Sequence, residues 1–214
     1  MTDPRIERTL QEVLADGVFL AVRLGEGAPV ADACRAAVRG GLRLIELTLT
    51  TPGALEAVRA LAAEGEGVIG AGTVLTVEDA RRAAEHGARF AMSPVTDEAV
   101  IAESHRLGML AVPGAGSATE ILRAHRAGAR LVKVFPSGPL GGPEFLRKVR
   151  GPLPHIPLVP TSGPSADTLA DYVAAGAVAV GVGTEVFAPG FTLASVEGAA
   201  RRLRRAMDGA RAAR

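Results

Sequence analysis

His86-Gly87-Ala88-Arg89-Phe90-Ala91-Met92, Leu107-Gly108-Met109-Leu110-Ala111-Val112 and Ala127-Gly128-Ala129-Arg130-Leu131-Val132 are three copies of one phrase, a glycine closing a helix-like stretch and a short apolar run following it. Glycine tolerates the left-handed backbone that ends a helix, so each copy marks a helix handing over to a strand. Gly87, Gly108 and Gly128 lie 21 and 20 residues apart, and the same phrase at Arg39-Gly40-Gly41-Leu42 and at Ala175-Gly176-Ala177 lies about two such units away on either side. A unit of that length holds one strand, one helix and two loops, and the alternation argues for a parallel sheet. Working outward, strands are expected near 18–23, 42–48, 67–72, 89–93, 109–112, 130–135, 156–160 and 178–182. Helices fit near 30–39, 53–63, 77–86, 96–107, 118–127, 143–149, 166–175 and 193–208, with an extra one near 5–15. Eight such units close a (β/α)8 or TIM barrel. An open doubly wound sheet shares the periodicity, which does not by itself show closure. The expected architecture is an α/β fold, a TIM barrel forming one domain over residues 1–214, with an N-terminal helix within 1–16 and the barrel from 17 onward.

Composition narrows the partners. The formal net charge of +1 provides no long-range field for nucleic acid or an anionic membrane, so small molecules are the expected ligands. The run Arg201-Arg202-Leu203-Arg204-Arg205 has no interleaved aromatic residue and reads as the solvated face of a last helix. The single cysteine, Cys34, excludes an intrachain disulfide and suits a reducing compartment. The first eight residues are charged throughout and no run of 18 apolar residues follows, so the expected location is the cytoplasm.

In a barrel the chemistry sits at the C-terminal strand ends. Only two of the 24 basic residues are lysines, and one, Lys133, lies inside Leu131-Val132-Lys133-Val134-Phe135-Pro136. Burying an ammonium costs free energy unless it pairs or gives up its proton, and a neutral amine attacks ketones to form a Schiff base. In Leu44-Ile45-Glu46-Leu47-Thr48 the period of two puts Glu46 and Thr48 on one face, and the same rule groups Leu131, Lys133 and Phe135. Lysine and glutamate can thus share the barrel interior, as an imine-forming amine and an acid/base group, or as a buried ion pair with no chemistry. Retro-aldol cleavage through an imine needs no metal ion. The histidines His86, His105 and His125 fall in helix C-terminal turns, where the dipole favours them, and read as structural.

Thr161-Ser162-Gly163-Pro164 and Gly181-Val182-Gly183-Thr184 follow the seventh and eighth strands, where barrels hold phosphate on backbone amides. The residues leave two other readings open. One is a metal-independent sugar-phosphate epimerase using the same lysine and glutamate as bases, and the other is a noncatalytic barrel that binds a sugar phosphate or serves in an assembly.

Ile45-Glu46-Leu47-Thr48, Gly70-Ala71-Gly72-Thr73-Val74, Met92-Ser93-Pro94, Val112-Pro113-Gly114, Lys133-Val134-Phe135-Pro136, Pro160-Thr161-Ser162-Gly163 and Gly181-Val182-Gly183, in this order over nearly the whole chain, resemble the 2-keto-3-deoxy-6-phosphogluconate and 2-keto-4-hydroxyglutarate aldolases. The resemblance implies a class I aldolase, without cofactor, that cleaves 2-keto-3-deoxy-6-phosphogluconate or its phosphogalactonate epimer to pyruvate and D-glyceraldehyde 3-phosphate. It also implies a homotrimer and a place in Entner–Doudoroff metabolism. Carried over, Lys133 would be the Schiff-base lysine and Glu46 the general acid/base. Arg23, Thr48, Gly72 and Thr73 would serve the pyruvyl end, Pro94 and Phe135 would line the pocket, and Thr161 would meet substrate hydroxyls or pyruvate. Ser162, Gly163, Gly183 and Thr184 would hold the phosphate. Two departures stand out: Thr50 occupies a position where many members carry arginine, and Ser162 with Pro164 replaces a Gly-Gly pair followed by an aliphatic residue, leaving no amide hydrogen at 164.

Overall fold

The structure, a computed structural model, describes residues 3–213. Helix α1 (Pro4–Asp16) starts where the Asp3 carboxylate accepts from the Arg5 amide, with proline in its first turn, and it buries Ile6, Thr9, Leu10 and Val13. The chain then alternates through β1 (Val18–Val22), α2 (Val30–Arg39), β2 (Leu44–Thr48), α3 (Ala54–Glu64), β3 (Val68–Gly72), α4 (Val77–Glu85), β4 (Phe90–Met92), α5 (Glu98–Arg106), β5 (Leu110–Val112) and β6 (Gly114–Ala115). It continues through α6 (Ala118–Arg126), β7 (Val132–Val134), α7 (Gly142–Arg150), β8 (Leu158–Pro160), α8 (Leu169–Ala174), β9 (Val180–Val182) and α9 (Leu193–Ala212).

All the strand pairs are parallel. One sheet runs β5-β4-β3-β2-β1-β9 and another β6-β7-β8. Two joints turn these arcs into a ring. The amide of Val178 donates to Leu158 O (3.1 Å) and a parallel bridge links Thr161 to Gly181, joining β8 to β9. On the other side β5 and β6 form the fifth barrel strand, expected as one run at 109–112 but broken at Pro113. Proline cannot donate to a ladder, yet its carbonyl still accepts from Lys133 N at 2.8 Å. The expected closed (β/α)8 barrel is present.

The strands expected at 42–48 and 130–135 begin two residues later than expected, and the reason is the helix stop itself. Gly41, Gly87, Gly108, Gly128 and Gly176 all have positive φ, as the spacing argument required. The amide of the next residue then turns back on the helix, Leu42 to Ala37 O (3.1 Å) and Ala129 to Ala124 O (3.1 Å), so it is not available to the sheet. The helix expected at 166–175 shrinks to α8 for a similar reason. Ser165 N donates to Thr168 Oγ1 (3.0 Å) and replaces the first helical turn with a hydroxyl turn.

Alternation along each strand sorts the core into two. Val18, Leu20, Val22, Ile45, Leu47, Ile69, Ala71, Val132 and Val134 face outward against the helices. Phe19, Leu44, Val68, Phe90, Leu110, Leu131, Val159 and Ala179 fill the barrel interior, and α1 caps that plug from below with Ile6, Leu10 and Val13. One step further along the same faces come Ala21, Glu46, Gly70, Lys133, Thr161 and Gly181. The inward register therefore delivers the two charged residues at the mouth.

Candidate active site

A cavity of about 710 Å³ opens at the C-terminal end of the barrel, lined by Arg23, Glu46, Thr48, Lys133, Phe135, Thr161, the loop 162–165, and residues 181–185 with Phe187. At its base Lys133 Nζ stands 3.5 Å from Glu46 Oε1, with only 9% and 2% of the two side chains exposed. Lys133 Nζ also lies 5.3 Å from the Phe135 ring centroid, within cation–π range. The second carboxylate oxygen, Glu46 Oε2, and the Thr161 hydroxyl are buried with no hydrogen-bond partner among the described residues. A desolvated ion pair is a poor source of stability, and leaving further polar atoms unmatched makes it poorer. The arrangement is suited to a ligand instead. It presents an amine, a carboxylate and a hydroxyl at one end of a half-open cavity.

Local structure sets each of these groups. Glu46 pairs in register with Ala21 and Gly70, small neighbours that leave its side chain room. Gly72, the next inward residue of β3, is in van der Waals contact with that carboxylate, and a Cβ there would run into it. Lys133 is fixed by Gly114 on one flank and Val159 on the other. Thr161 packs over Gly181, where again a Cβ would collide with its methyl group.

The other expected site residues divide. Thr48 faces the cavity, but its hydroxyl is engaged with Val22 O (3.0 Å) and with the hydroxyls of Thr50 and Thr51 (both 3.1 Å). It straps the loop after β2 to the end of β1, beside exposed Arg23. Gly72 sits behind Glu46, away from the cavity surface, and Thr73 is held half-buried in a left-handed backbone (φ 58°) just beyond it. Pro94 lines a smaller adjoining cavity of about 310 Å³, which it shares with Phe135. Ser162, Gly163, Gly183 and Thr184 gather on one rim of the main cavity. Ser162 takes the left-handed conformation (φ 60°), and its carbonyl accepts from Gly138 N at 2.8 Å, tying that rim to the loop after β7.

Sequence reasoning missed Ala21, Ser165, Glu185 and Phe187, which line the same cavity. Glu185 was within reach. It is the charged residue directly after Thr184, in the loop already singled out for phosphate. Among the described residues no cluster of three or more His, Cys, Asp or Glu is arranged to hold a metal ion, and no helix is long and apolar enough to cross a membrane.

Comparison with known proteins agrees with this geometry. Residues 10–195 match the family model described as "Aldolase: KDPG and KHG aldolase". The 2-dehydro-3-deoxy-phosphogluconate aldolase of Treponema pallidum is 39% identical over 170 residues, covering 79% of this chain and 80% of its own length. The 2-keto-3-deoxy-6-phosphogluconate aldolase of Zymomonas mobilis, solved with 3-phosphoglycerate, superposes with a TM-score of 0.84 at 25% identity, over 92% of this chain and 95% of that one. The KDPG aldolase of Legionella pneumophila, solved with pyruvate captured at low pH as a covalent carbinolamine intermediate, superposes with a TM-score of 0.82 at 25% identity, over 89% of this chain and 96% of that one. The chain therefore belongs to the KDPG and KHG aldolase family, and is an aldolase, a carbon–carbon lyase.

Proposed function

We propose that this enzyme cleaves 2-keto-3-deoxy-6-phosphogluconate, or its phosphogalactonate epimer, to pyruvate and D-glyceraldehyde 3-phosphate through a Schiff base on Lys133. The observation that carries the reading is the buried Lys133–Glu46 pair, 3.5 Å apart at the base of the mouth cavity. The amine adds to the C2 ketone and water leaves, giving an iminium ion. A base takes the proton of the C4 hydroxyl, the C3–C4 bond breaks, and its electron pair flows into the iminium to give an enamine and the aldehyde. Protonation at C3 and hydrolysis then release pyruvate and the free amine. Glu46, directly or through a water, would shuttle these protons, and Thr161 would meet substrate hydroxyls or the bound pyruvyl group. No cofactor is needed, because the iminium is the electron sink.

Arg23 and the backbone around Gly72 and Thr73 would serve the carboxylate, with Pro94 and Phe135 shaping the wall. The distal phosphate would rest on Ser162, Gly163, Gly183 and Thr184. The setting is sugar-acid breakdown of the Entner–Doudoroff type in the cytoplasm. Leu75 and Val95, 47% and 50% exposed in the loops after β3 and β4, provide apolar surface for the homotrimer we propose, which light scattering would register as about three times the 21.9 kDa chain mass.

The decisive experiment is borohydride reduction with pyruvate present, followed by peptide mass spectrometry. A reduced pyruvyl adduct is expected on Lys133 and not on Lys148, the only other lysine, which lies on the surface of α7 and pairs with Glu144 at 3.5 Å. Folded protein that forms no adduct on Lys133 would overturn the proposal.

A further inference from the structure

We infer that Glu185 is a specificity-determining residue of the distal subsite that weakens its hold on a phosphate and so narrows the preference for a phosphorylated over a neutral terminus. This rests on the aldolase reading of the cavity and concerns only its far end. The loop 162–166 has little capacity left for a phosphate. Pro164 has no amide hydrogen. Ser165 N is committed to Thr168 Oγ1 at 3.0 Å, and Ala166 N to the Glu185 carboxylate, at 3.1 Å to Oε1 and 3.2 Å to Oε2. Of five consecutive positions only Ser162 and Gly163 remain free of these constraints.

The bidentate approach of Glu185 to one backbone amide is itself the geometry of an anion on a loop. The protein's own carboxylate thus takes up a backbone donor of the loop that forms the proposed phosphate rim. Glu185 also lines the same cavity as Gly183 and Thr184, on which the proposed phosphate would rest. A phosphate monoester carries nearly two negative charges at neutral pH, and bringing it beside a fixed carboxylate sets like charges together at the rim. Among the described residues Arg23 is the single cationic side chain lining the cavity besides Lys133. A neutral, hydroxylated terminus meets no such repulsion. It can also donate to the carboxylate.

The test compares kcat/KM for a 2-keto-3-deoxy sugar acid with and without its terminal phosphate, in the wild type, Glu185→Gln and Glu185→Ala. Glutamine keeps an acceptor for Ala166 N and removes the charge, whereas alanine also frees the amide. The ratio of phosphorylated to unphosphorylated substrate is expected to rise about tenfold in Glu185→Gln and further in Glu185→Ala, carried by KM. Inhibition by inorganic phosphate should tighten in parallel. A ratio unchanged in both variants, with circular dichroism showing native fold, would overturn the inference. Trapping of pyruvate on Lys133 in the same three proteins separates the two readings. Adducts with a flat ratio sink only the role of Glu185, and absence of adducts sinks the aldolase reading beneath it.

Discussion

At the floor of the barrel Phe19 and Phe90 meet edge to face with centroids 5.2 Å apart, inside a layer of Leu44, Val68, Leu110, Leu131 and Val159. One step along the same strands, at the mouth, the inward positions hold Glu46, Lys133 and Thr161, with glycine at 70 and 181. Charges near the floor lie outside the plug and each has an ion-pair partner, Arg89 with Glu12 (2.7 Å), Arg130 with Glu7 (3.3 Å) and Arg204 with Asp16 (3.3 Å), although Arg204 Nε and Glu12 Oε2 are buried without a well-formed hydrogen bond among the described residues. At the mouth Glu46 Oε2 and Thr161 Oγ1 have no hydrogen-bond partner among the described residues. The contrast separates two tasks of one scaffold. Apolar filling and α1 stabilise the floor, and that stability lets the next layer keep groups that weaken it and that we propose carry the chemistry.

Substitutions can break or sharpen that division. The largest effect is expected from Lys133→Ala, which should lower turnover by about four orders of magnitude or more, as loss of a covalent nucleophile does, and abolish the pyruvate adduct. Because it strands the Glu46 carboxylate, it should also cost stability, and the double variant Lys133→Met with Glu46→Gln should recover much of that loss without activity. Steady-state assays and urea titration read both. Retained turnover in Lys133→Ala would remove the mouth's claim to chemistry.

Gly72→Ala comes next. Its Cβ would displace the Glu46 carboxylate, so kcat should fall by about 10²-fold, in the range of a misplaced acid/base group, while CD stays native and stability falls only by about 1–3 kcal/mol, the cost of overpacking. At the floor the pattern should invert. Phe90→Ala, at a site with no exposure, should lower unfolding free energy by about 3–5 kcal/mol and leave kcat of the folded enzyme within about twofold. A larger loss of kcat than of stability would show that the two layers are not separable.

The smallest effect concerns pH. His105 borders a cavity beside α1 with Asp3, Ile6, Arg106 and Arg130; burial first, and the Arg130 charge second, hold its imidazole below the ordinary histidine range. The folded state thus disfavours its protonation. Above about pH 6.5 both folded and unfolded forms are neutral and the group is without effect. As pH falls below that value the unfolded chain takes up the proton first, so stability declines until the folded-state value is passed. Between pH 7 and 5 the slope of unfolding free energy should be shallower in His105→Gln than in the wild type, and identical slopes would place the acid sensitivity elsewhere.

Much of this was legible in the order of residues. The helix-ending glycines, the eight strands, and the shared inward face of Glu46 with Thr48 and of Lys133 with Phe135 all follow from local backbone preference and a period of two. So do the family motifs that suggested an aldolase. The break of the fifth strand at Pro113 was less legible: the proline is visible, but whether its carbonyl finds Lys133 N depends on the neighbouring strand. Other features depend wholly on how distant segments meet. Closure through Thr161 and Gly181, the 3.5 Å approach of Lys133 to Glu46, the engagement of the Thr48 hydroxyl by Val22 and the capture of Ala166 N by Glu185 each join residues 19 to 87 positions apart. Propensity and alternation act over a turn or a strand and choose which face a side chain takes. Which partner waits on that face is decided by packing of the whole ring, because only there do the entropy of closing long loops and the burial of the shared interior come into balance.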